Sequence, residues 1–265
     1  EPEVVLDQVR LLVEAGHPEV VLTGIDLGHY GADLTPRTTL AALLRAVIDV
    51  AGLRWVRLSS ILPAYFTPEL VEVVTGSDRI APHLHIPLQS GSARVLRRMR
   101  RPYTVAIYRH LVESLAGAIP GLGLGTDLIV GFPGESDEDF GQTMRLVGEL
   151  PFTYLHVFPY SDRRGTEAVG LDGHLQPAVA GARSREVRRL AAAKSLAFRG
   201  SLVGGGQEVL VLEQRERRRG QLVGLTGNYV EVIFDGPDSL MGRLVDVRVT
   251  AAIGERTFAE RVVAA

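Results

Sequence analysis

Five short clusters of polar residues and glycine each follow an apolar run. They are Thr23-Gly24-Ile25-Asp26, Ser59-Ser60, Gln89-Ser90-Gly91-Ser92, Asp127 with Gly131-Phe132-Pro133-Gly134-Glu135, and Pro159-Tyr160-Ser161. One such cluster is ordinary turn chemistry. Five at the same end of successive runs point to a ligand-binding mouth, because parallel βα architectures bind ligands at the carboxyl edge of their strands and helix N-termini aim free N–H groups there. Gly131 and Gly134 let backbone approach a ligand, and Pro133 stiffens the loop between them. Gln89, Ser90 and Ser92 offer hydrogen bonds suited to ribose hydroxyls or a carboxylate. Asp26 suits an ammonium group or a ribose, or else caps a turn. The one lysine of the chain is Lys194, and no loop has the pattern that grips phosphate. A zwitterionic, nucleoside-bearing ligand therefore suits this mouth better than a polyphosphate.

The elements that must carry these clusters alternate, apolar strand-like runs with amphipathic helical ones, as in stacked βα units. A helix over Glu3–Ala15 puts Val4, Val5, Leu6, Val9, Leu12 and Val13 on one stripe and stops at Gly16. Strands are expected at Glu19–Gly24 (buried), Trp55–Ser60, His83–Leu88, Leu122–Val130 and Tyr154–Tyr160. Helices are expected at Leu40–Val50, from Thr67 as N-cap with Pro68 behind it, from Ser90 or Ser92 through Met99, at Thr104–Ala118 and at Ser136–Glu149. Five strands of one kind predict an α/β fold, an open or closed (β/α) barrel rather than a doubly wound sheet. Gly165–Gly181 reads as a connecting loop. Ala182–Arg199 reads as a basic helix carrying Arg183, Arg185, Arg188, Arg189, Lys194 and Arg199. Beyond Gly204-Gly205-Gly206 short alternating runs (Glu208–Leu212, Gln221–Leu225, Tyr229–Phe234, Leu244–Thr250 and Arg256–Val263) predict a small antiparallel β-barrel. The expected division is residues 1–201 and 202–265, with the basic helix 182–199 as linker.

Composition bounds the chemistry. The 265 residues are 46% hydrophobic and 23% charged, with a formal net charge of −2, so contact with nucleic acid must come from a local basic surface. With 0 cysteines there are no thiolates for disulfides, zinc or iron–sulfur ligation. The 7 histidines show no ligand spacing, so no metal ligand and no catalytic residue is assigned. No run approaches the roughly 18 apolar residues of a membrane span. Glu1-Pro2-Glu3 lacks the features of a signal peptide, so a cytoplasmic location is expected.

Three longer motifs make a resemblance specific. His85-Ile86-Pro87-Leu88-Gln89-Ser90-Gly91-Ser92, with Val95-Leu96-Arg97-Arg98-Met99 and Arg101-Pro102-Tyr103-Thr104 after it, resembles the stretch following the fourth strand of radical-SAM methylthiotransferases. Gly125-Thr126-Asp127-Leu128-Ile129-Val130-Gly131-Phe132-Pro133-Gly134-Glu135-Ser136 is similar to that family's fifth-strand motif, and Val21-Leu22-Thr23-Gly24-Ile25-Asp26-Leu27-Gly28 to its second. Tyr154–Tyr160 with Gly165-Thr166 resembles the stretch ending the sixth strand. The wording is closest to the branch that methylthiolates N6-threonylcarbamoyladenosine beside the tRNA anticodon. Sister branches act on isopentenyladenosine or on a ribosomal-protein aspartate.

The resemblance implies a partial radical-SAM barrel followed by a TRAM-like RNA-binding barrel. It implies S-adenosyl-L-methionine as cofactor. Thr23, Gly24 and Asp26 would lie at the methionine amino end, Ser60, Gln89 and Ser90 near ribose and carboxylate, and Ile129, Gly131 and the backbone of Val157 and Phe158 around adenine. Family members cleave this cofactor with a [4Fe–4S] cluster and draw sulfur through an auxiliary one, with tRNA, an electron donor and a sulfur source as partners; the organic chemistry belongs to the cofactors. The family's cluster motif, Cys-x-x-x-Cys-x-x-Cys, falls just before the segment where this chain begins, and the N-terminal domain brings three further cysteines. The chain thus reads as a partial sequence, lacking the barrel's first strand and cluster loop and not competent by itself. In the TRAM-like part Arg215, Arg217, Arg218 and Arg219 form a basic turn suited to phosphates, and Tyr229 and Phe234 could stack bases. Arg94, Arg97, Arg98, Arg100 and Arg101 either face RNA or pair with acids. Two readings of other classes are a non-catalytic RNA-binding protein without clusters and a cluster-free barrel lyase, the latter requiring a catalytic lysine or a metal site.

Overall fold

The computed structural model describes residues 1–262; the end of the run Arg256–Val263 and of the division 202–265 lies outside the described residues. The first half runs α1 (Pro2–Glu14), β1 (Glu19–Leu22), α2 (Leu40–Ile48), β2 (Trp55–Leu58), α3 (Pro68–Gly76), β3 (His83–His85), α4 (Ala93–Arg98), α5 (Val105–Ala118), β4 (Gly123–Val130), α6 (Asp137–Glu149) and β5 (Tyr154–Pro159). All five strands are parallel and lie in chain order. Between β2 and β3 the ladder loosens to a bridge at Val56 and Ile80 and a bond from Ile61 N–H to the His85 carbonyl (3.0 Å). The result is an open arc, the partial barrel expected.

Side-chain alternation divides the arc into two faces. Val20, Val56, Leu58, Leu84, Leu124, Leu128 and Val130 pack outward beneath the helices. The concave face carries polar and aromatic groups instead, and Val21 on it is 56% exposed, so β1 is not the buried strand expected. The stripe of α1 is also narrower than its pattern: Leu6 and Val9 are buried, whereas Val4 and Leu12 are exposed, because the helix packs on α2 and β1 along one side only. Caps behave as their residue types dictate. Thr39, Thr67, Thr104 and Ser92 each accept from the N–H three residues on, which assigns the α4 cap to Ser92. Ser136 and Asp139 form a reciprocal capping box on α6.

Helix α7 (Pro177–Ser201) begins five residues before the basic helix expected and consumes the end of the predicted loop. Pro177 occupies its first turn, where a missing N–H is harmless. Its basic residues are largely structural. Arg183 is buried against Glu135 (2.6 Å), Arg188 donates to the Val157 carbonyl (3.0 Å), Lys194 to that of Gly148 (2.9 Å), and Arg199 to those of Arg256 and Gly254. Arg185 and Arg189 stay exposed. The helix is a strap linking β5, α6 and the second barrel.

That barrel comprises β6 (Gly206–Arg215), β7 (Leu222–Thr226), β8 (Glu231–Phe234), β9 (Leu244–Ile253) and β10 (Arg256–Arg261), closed in the order β10-β8-β7-β6-β9 around Val209, Val211, Leu222, Val232, Phe234, Val247 and Val249. Phe234 is thus a core residue, not a base-stacking one. The barrel is not wholly antiparallel: β8 and β10 close it in parallel at Ile233 and Phe258. Among the described residues no helix is long and apolar enough to cross a membrane.

The two halves meet on one buried cation. Arg57 of β2 donates to both Glu19 oxygens (2.7 and 3.0 Å) and to the carbonyls of Gly227 (2.9 Å) and Thr226 (3.3 Å) in the β7–β8 turn. The two side chains are only 3% and 5% exposed. Asn228 donates to the Gly121 carbonyl, and a Cβ at Gly123 would strike the Asn228 backbone, so glycine is required where the turn enters.

Two outcomes follow from this packing. Arg57→Met leaves the Glu19 carboxylate buried without its cation and should cost about 3–5 kcal/mol in denaturant unfolding, with much of the loss recovered in Glu19→Leu/Arg57→Met; a loss below about 1 kcal/mol would deny the clamp. Asp139 sits between α6 and α4, accepting from Ser92 (2.6 Å), Ser136 and Arg94. Burial opposes its charge, but those bonds outweigh it and hold the carboxyl well below the usual range. A group with a depressed folded pKa stabilises fully above its unfolded value, and that stability is lost as the pH falls through the folded one. The chain should therefore lose stability steadily below about pH 4, and Asp139→Asn should be less stable at pH 7 with a shallower acid limb. Parallel urea-midpoint curves for the two proteins would contradict this.

Candidate functional site

The concave face encloses a cavity of ≈540 Å³. Its floor is the Arg57–Glu19 pair with His83, Tyr154 and Tyr229; its middle tier is Ser59, His85, Asp127 and His156; Ser60 and Phe158 stand toward the strand ends. Register explains the tiers: Gly125, Asp127 and Ile129 of β4 lie beside Tyr154, His156 and Phe158 of β5, every second residue pointing inward. Gly125 leaves room for the Tyr154 ring, which a Cβ there would overlap.

Tyr154 is the hub of the polar floor. Its hydroxyl lies 2.8 Å from His83 Nε2 and 3.0 Å from His85 Nδ1, so it donates to one imidazole and accepts from the other. Burial above all, then the charges of Arg57 and His85, pushes His83 down to about 3, and it stays neutral. Burial raises the Tyr154 phenol, which stays protonated. Asp127 Oδ1 lies 3.0 Å from His85 Nε2 and 3.2 Å from His156 Nδ1. Burial alone would raise Asp127, but the two histidines outweigh it and keep the carboxyl below its ordinary value. Ser59 Oγ, His83 Nδ1 and His85 Nε2 are buried with no hydrogen-bond partner among the described residues.

The sequence-predicted residues separate. Ser60 and Phe158 line the cavity. Ile129 shares their face, and its N–H donates to the Gln89 carbonyl (2.9 Å). Gln89 is buried with φ 67°, its own N–H donating to the Asp127 carbonyl (2.8 Å). Thr23 and Gly24 lie on the exposed loop after β1. Asp26 there accepts from the Tyr65 hydroxyl (2.7 Å) and borders a separate shallow hollow with His29, Tyr30 and Asp33. Ser90 is fully buried toward α6, bonded to Thr143 and to the Ser92 N–H, so its hydroxyl faces away from the mouth. Gly131 donates to Glu135 (2.7 Å), and Ala180 of α7 occupies the space its Cβ would take. The Val157 carbonyl is taken by Arg188.

The basic clusters resolve as well. Arg94, Arg98 and Arg100 pair with Asp139, Asp172 and Glu167. Arg215 is not a free phosphate ligand: it pairs with Asp238 (2.6 Å) and donates to the Gly236 and Gly220 carbonyls. Arg217, Arg218 and Arg219 are exposed on a turn held by Glu216, which accepts from the N–H groups of Arg218 and Arg219. Tyr229 belongs to the cavity wall, stacked on His83 with centroids 4.3 Å apart and lying beneath Arg57. Sequence reasoning missed His83, His85, Tyr154 and His156. The usable signal was polar and aromatic residues at every second position of otherwise apolar strands, in His83-Leu84-His85 and Tyr154-Leu155-His156.

Residues 1–147 match the family model described as the Radical SAM superfamily, and residues 200–260 that of the TRAM domain. The chain is 39% identical over 257 residues to the threonylcarbamoyladenosine tRNA methylthiotransferase MtaB of Bacillus subtilis, covering 95% of this chain and 56% of that protein. It is 43% identical over 251 residues to the tRNA-2-methylthio-N(6)-dimethylallyladenosine synthase of Moorella thermoacetica, with the same coverages. The chain thus spans about half the length of the curated relatives it matches. Among solved structures, the radical SAM enzyme coproporphyrinogen III oxidase of Escherichia coli superposes with a TM-score of 0.53 at 16% identity over 73% of this chain and 46% of that one, a likeness of fold.

Proposed function

Because the chain belongs to the radical SAM superfamily and carries a TRAM domain, we propose that it is the barrel and RNA-gripping portion of an enzyme that methylthiolates a tRNA adenosine beside the anticodon. N6-threonylcarbamoyladenosine is the substrate we favour, on the wording of the strand-end motifs. The 43% identity to a dimethylallyladenosine synthase supports the second reading, and the masses of the two methylthio products distinguish them.

A [4Fe–4S] cluster needs cysteine thiolates, and the chain has none. The residues present do not fit a cluster, and the reading assigns this chain binding and positioning only. S-adenosylmethionine fits better. The cavity volume is within the usual range of small-molecule sites, roughly 300–1,000 Å³, and it holds two aromatic faces, Phe158 and Tyr229, with an unpartnered buried hydroxyl on Ser59. When bound, this cofactor supplies the radical chemistry of the superfamily. Ser60, Gln89, Ile129 and Phe158 would hold its nucleoside, with Thr23, Gly24 and Asp26 on the loop above. Tyr154 and neutral His83 orient the floor beneath.

The observation that carries the reading is Gln89. Strand β4 fastens it on both sides, by its N–H and its carbonyl, in a left-handed backbone conformation that L-residues rarely adopt. Such strain persists where the surroundings over-determine it, and it gathers at ligand sites. Gln89→Gly relieves the strain while adding chain entropy, so stability should change by no more than about 1 kcal/mol. Binding of S-adenosylmethionine measured by calorimetry should weaken by roughly 1–2 kcal/mol. Equal affinity in the variant would reduce Gln89 to a structural residue.

On the RNA side, Arg217→Ala/Arg218→Ala should weaken tRNA binding and flatten its dependence on salt, each lost phosphate contact lowering the slope by about 1. A titration indistinguishable from the parent's would remove this turn from the RNA surface. For the reaction itself, the chain would be joined to an upstream region carrying both the three-cysteine motif and the three further cysteines of the N-terminal domain, and both clusters reconstituted anaerobically. Digested tRNA should then contain a methylthio-adenosine; its absence, together with intact cofactor, would reject the proposal.

A further inference from the structure

Three side chains on the concave face converge from three different strands: His85 of β3, Asp127 of β4 and His156 of β5. Their ligand atoms all lie within 4.8 Å of one another. We propose that they form a binding site for one divalent transition-metal ion of the Zn²⁺ type, with further coordination positions open to the cavity.

The donor set is two imidazoles and one carboxylate, which suits first-row divalent ions and leaves room for water or a bound molecule. Both separations from the carboxylate agree. Asp127 Oδ1 stands 3.0 Å from His85 Nε2 and 3.2 Å from His156 Nδ1. Ligands bonded at about 2.0–2.1 Å are roughly 2.9 Å apart along an octahedral edge and roughly 3.4 Å apart along a tetrahedral one. The second observation is His85 itself. It is 7% exposed, and its Nε2 is buried with Asp127 Oδ1, 3.0 Å away, as the polar atom it faces. Its other nitrogen is held by the Tyr154 hydroxyl at 3.0 Å. Ligating histidines characteristically have the second ring nitrogen fixed in this way, which sets the tautomer and the ring plane. His156 is half-exposed and its ring lies against that of His85, with centroids 5.2 Å apart, so the open side faces the cavity. With 0 cysteines in the chain, no thiolate competes for such an ion.

This site stands apart from the proposed function: a chain that binds tRNA and nucleoside but no metal would leave that reading intact. The test is a titration of the 265-residue chain, freed of metal by a chelator, with Co²⁺ followed by its visible d–d absorption, then competition with Zn²⁺. The expected result is one Co²⁺ per chain, displaced by Zn²⁺. Asp127→Asn and His156→Gln should each weaken binding by tenfold or more while near-ultraviolet circular dichroism stays unchanged, His156 being exposed enough to replace without disturbing the core. Tyr154→Phe should weaken it by about 10–100-fold, the usual effect of losing an outer-shell partner. His110→Gln, on α5, should leave it unaltered. No saturable absorption, or binding that survives both Asp127→Asn and His156→Gln, would overturn the site, as would loss of binding in His110→Gln.

Discussion

A guanidinium buried without water must be met on every side, and Arg57 is the point at which this requirement joins the molecule together. An open arc of five parallel strands has two edges and an unfilled concave face, and it cannot close its own lower end. Here that end is closed by the turn between β7 and β8, whose carbonyls complete the donor fork that Glu19 half fills. The charge makes the fit directional, since a displaced turn would strand either a cation or a carboxylate away from solvent. Tyr229 rides on the same turn, and this is why an aromatic residue of the second barrel becomes part of the cavity of the first.

That closure decides what the concave face can contain. With a protein floor beneath them, His83 and Tyr154 are buried deeply enough for the histidine to stay neutral and the phenol to stay protonated. The floor is therefore a fixed array of dipoles rather than a titrating surface. Above it the middle tier is partly open, and Asp127 keeps its charge because two histidines face it.

Helix α7 does the complementary work outside. Arg183, Arg188 and Arg199 tie it to Glu135, to β5 and to β10. The turn at Arg217, Arg218 and Arg219 is an exposed basic surface of the second barrel, and a local surface is what a net charge of −2 requires, since it leaves no general attraction for phosphate. Positive residues near a binding mouth are informative only once their partners are known, and here Asp139, Asp172, Glu167 and Asp238 account for most of them.

Local information set much of what is observed. Strand and helix positions, the threonine and serine caps, the stop at Gly16, the (β/α) arc and the second barrel follow from patterns that repeat within a few residues, where side-chain period and backbone preference act directly. Ser60 was singled out by its place at a strand end, whereas Phe158 entered only through the family resemblance, and both line the cavity. The tertiary structure alone decided which polar groups meet. Ser90 and Ser92 lie within three residues of Gln89, yet the turn after β3 directs them into α6 while the Gln89 backbone is fastened to β4. His85, Asp127 and His156 lie tens of residues apart, and no spacing connects them. Their convergence depends on the register of β3 and β5 against β4 and on the curvature of the sheet, quantities fixed by the packing of the whole arc rather than by any segment of it.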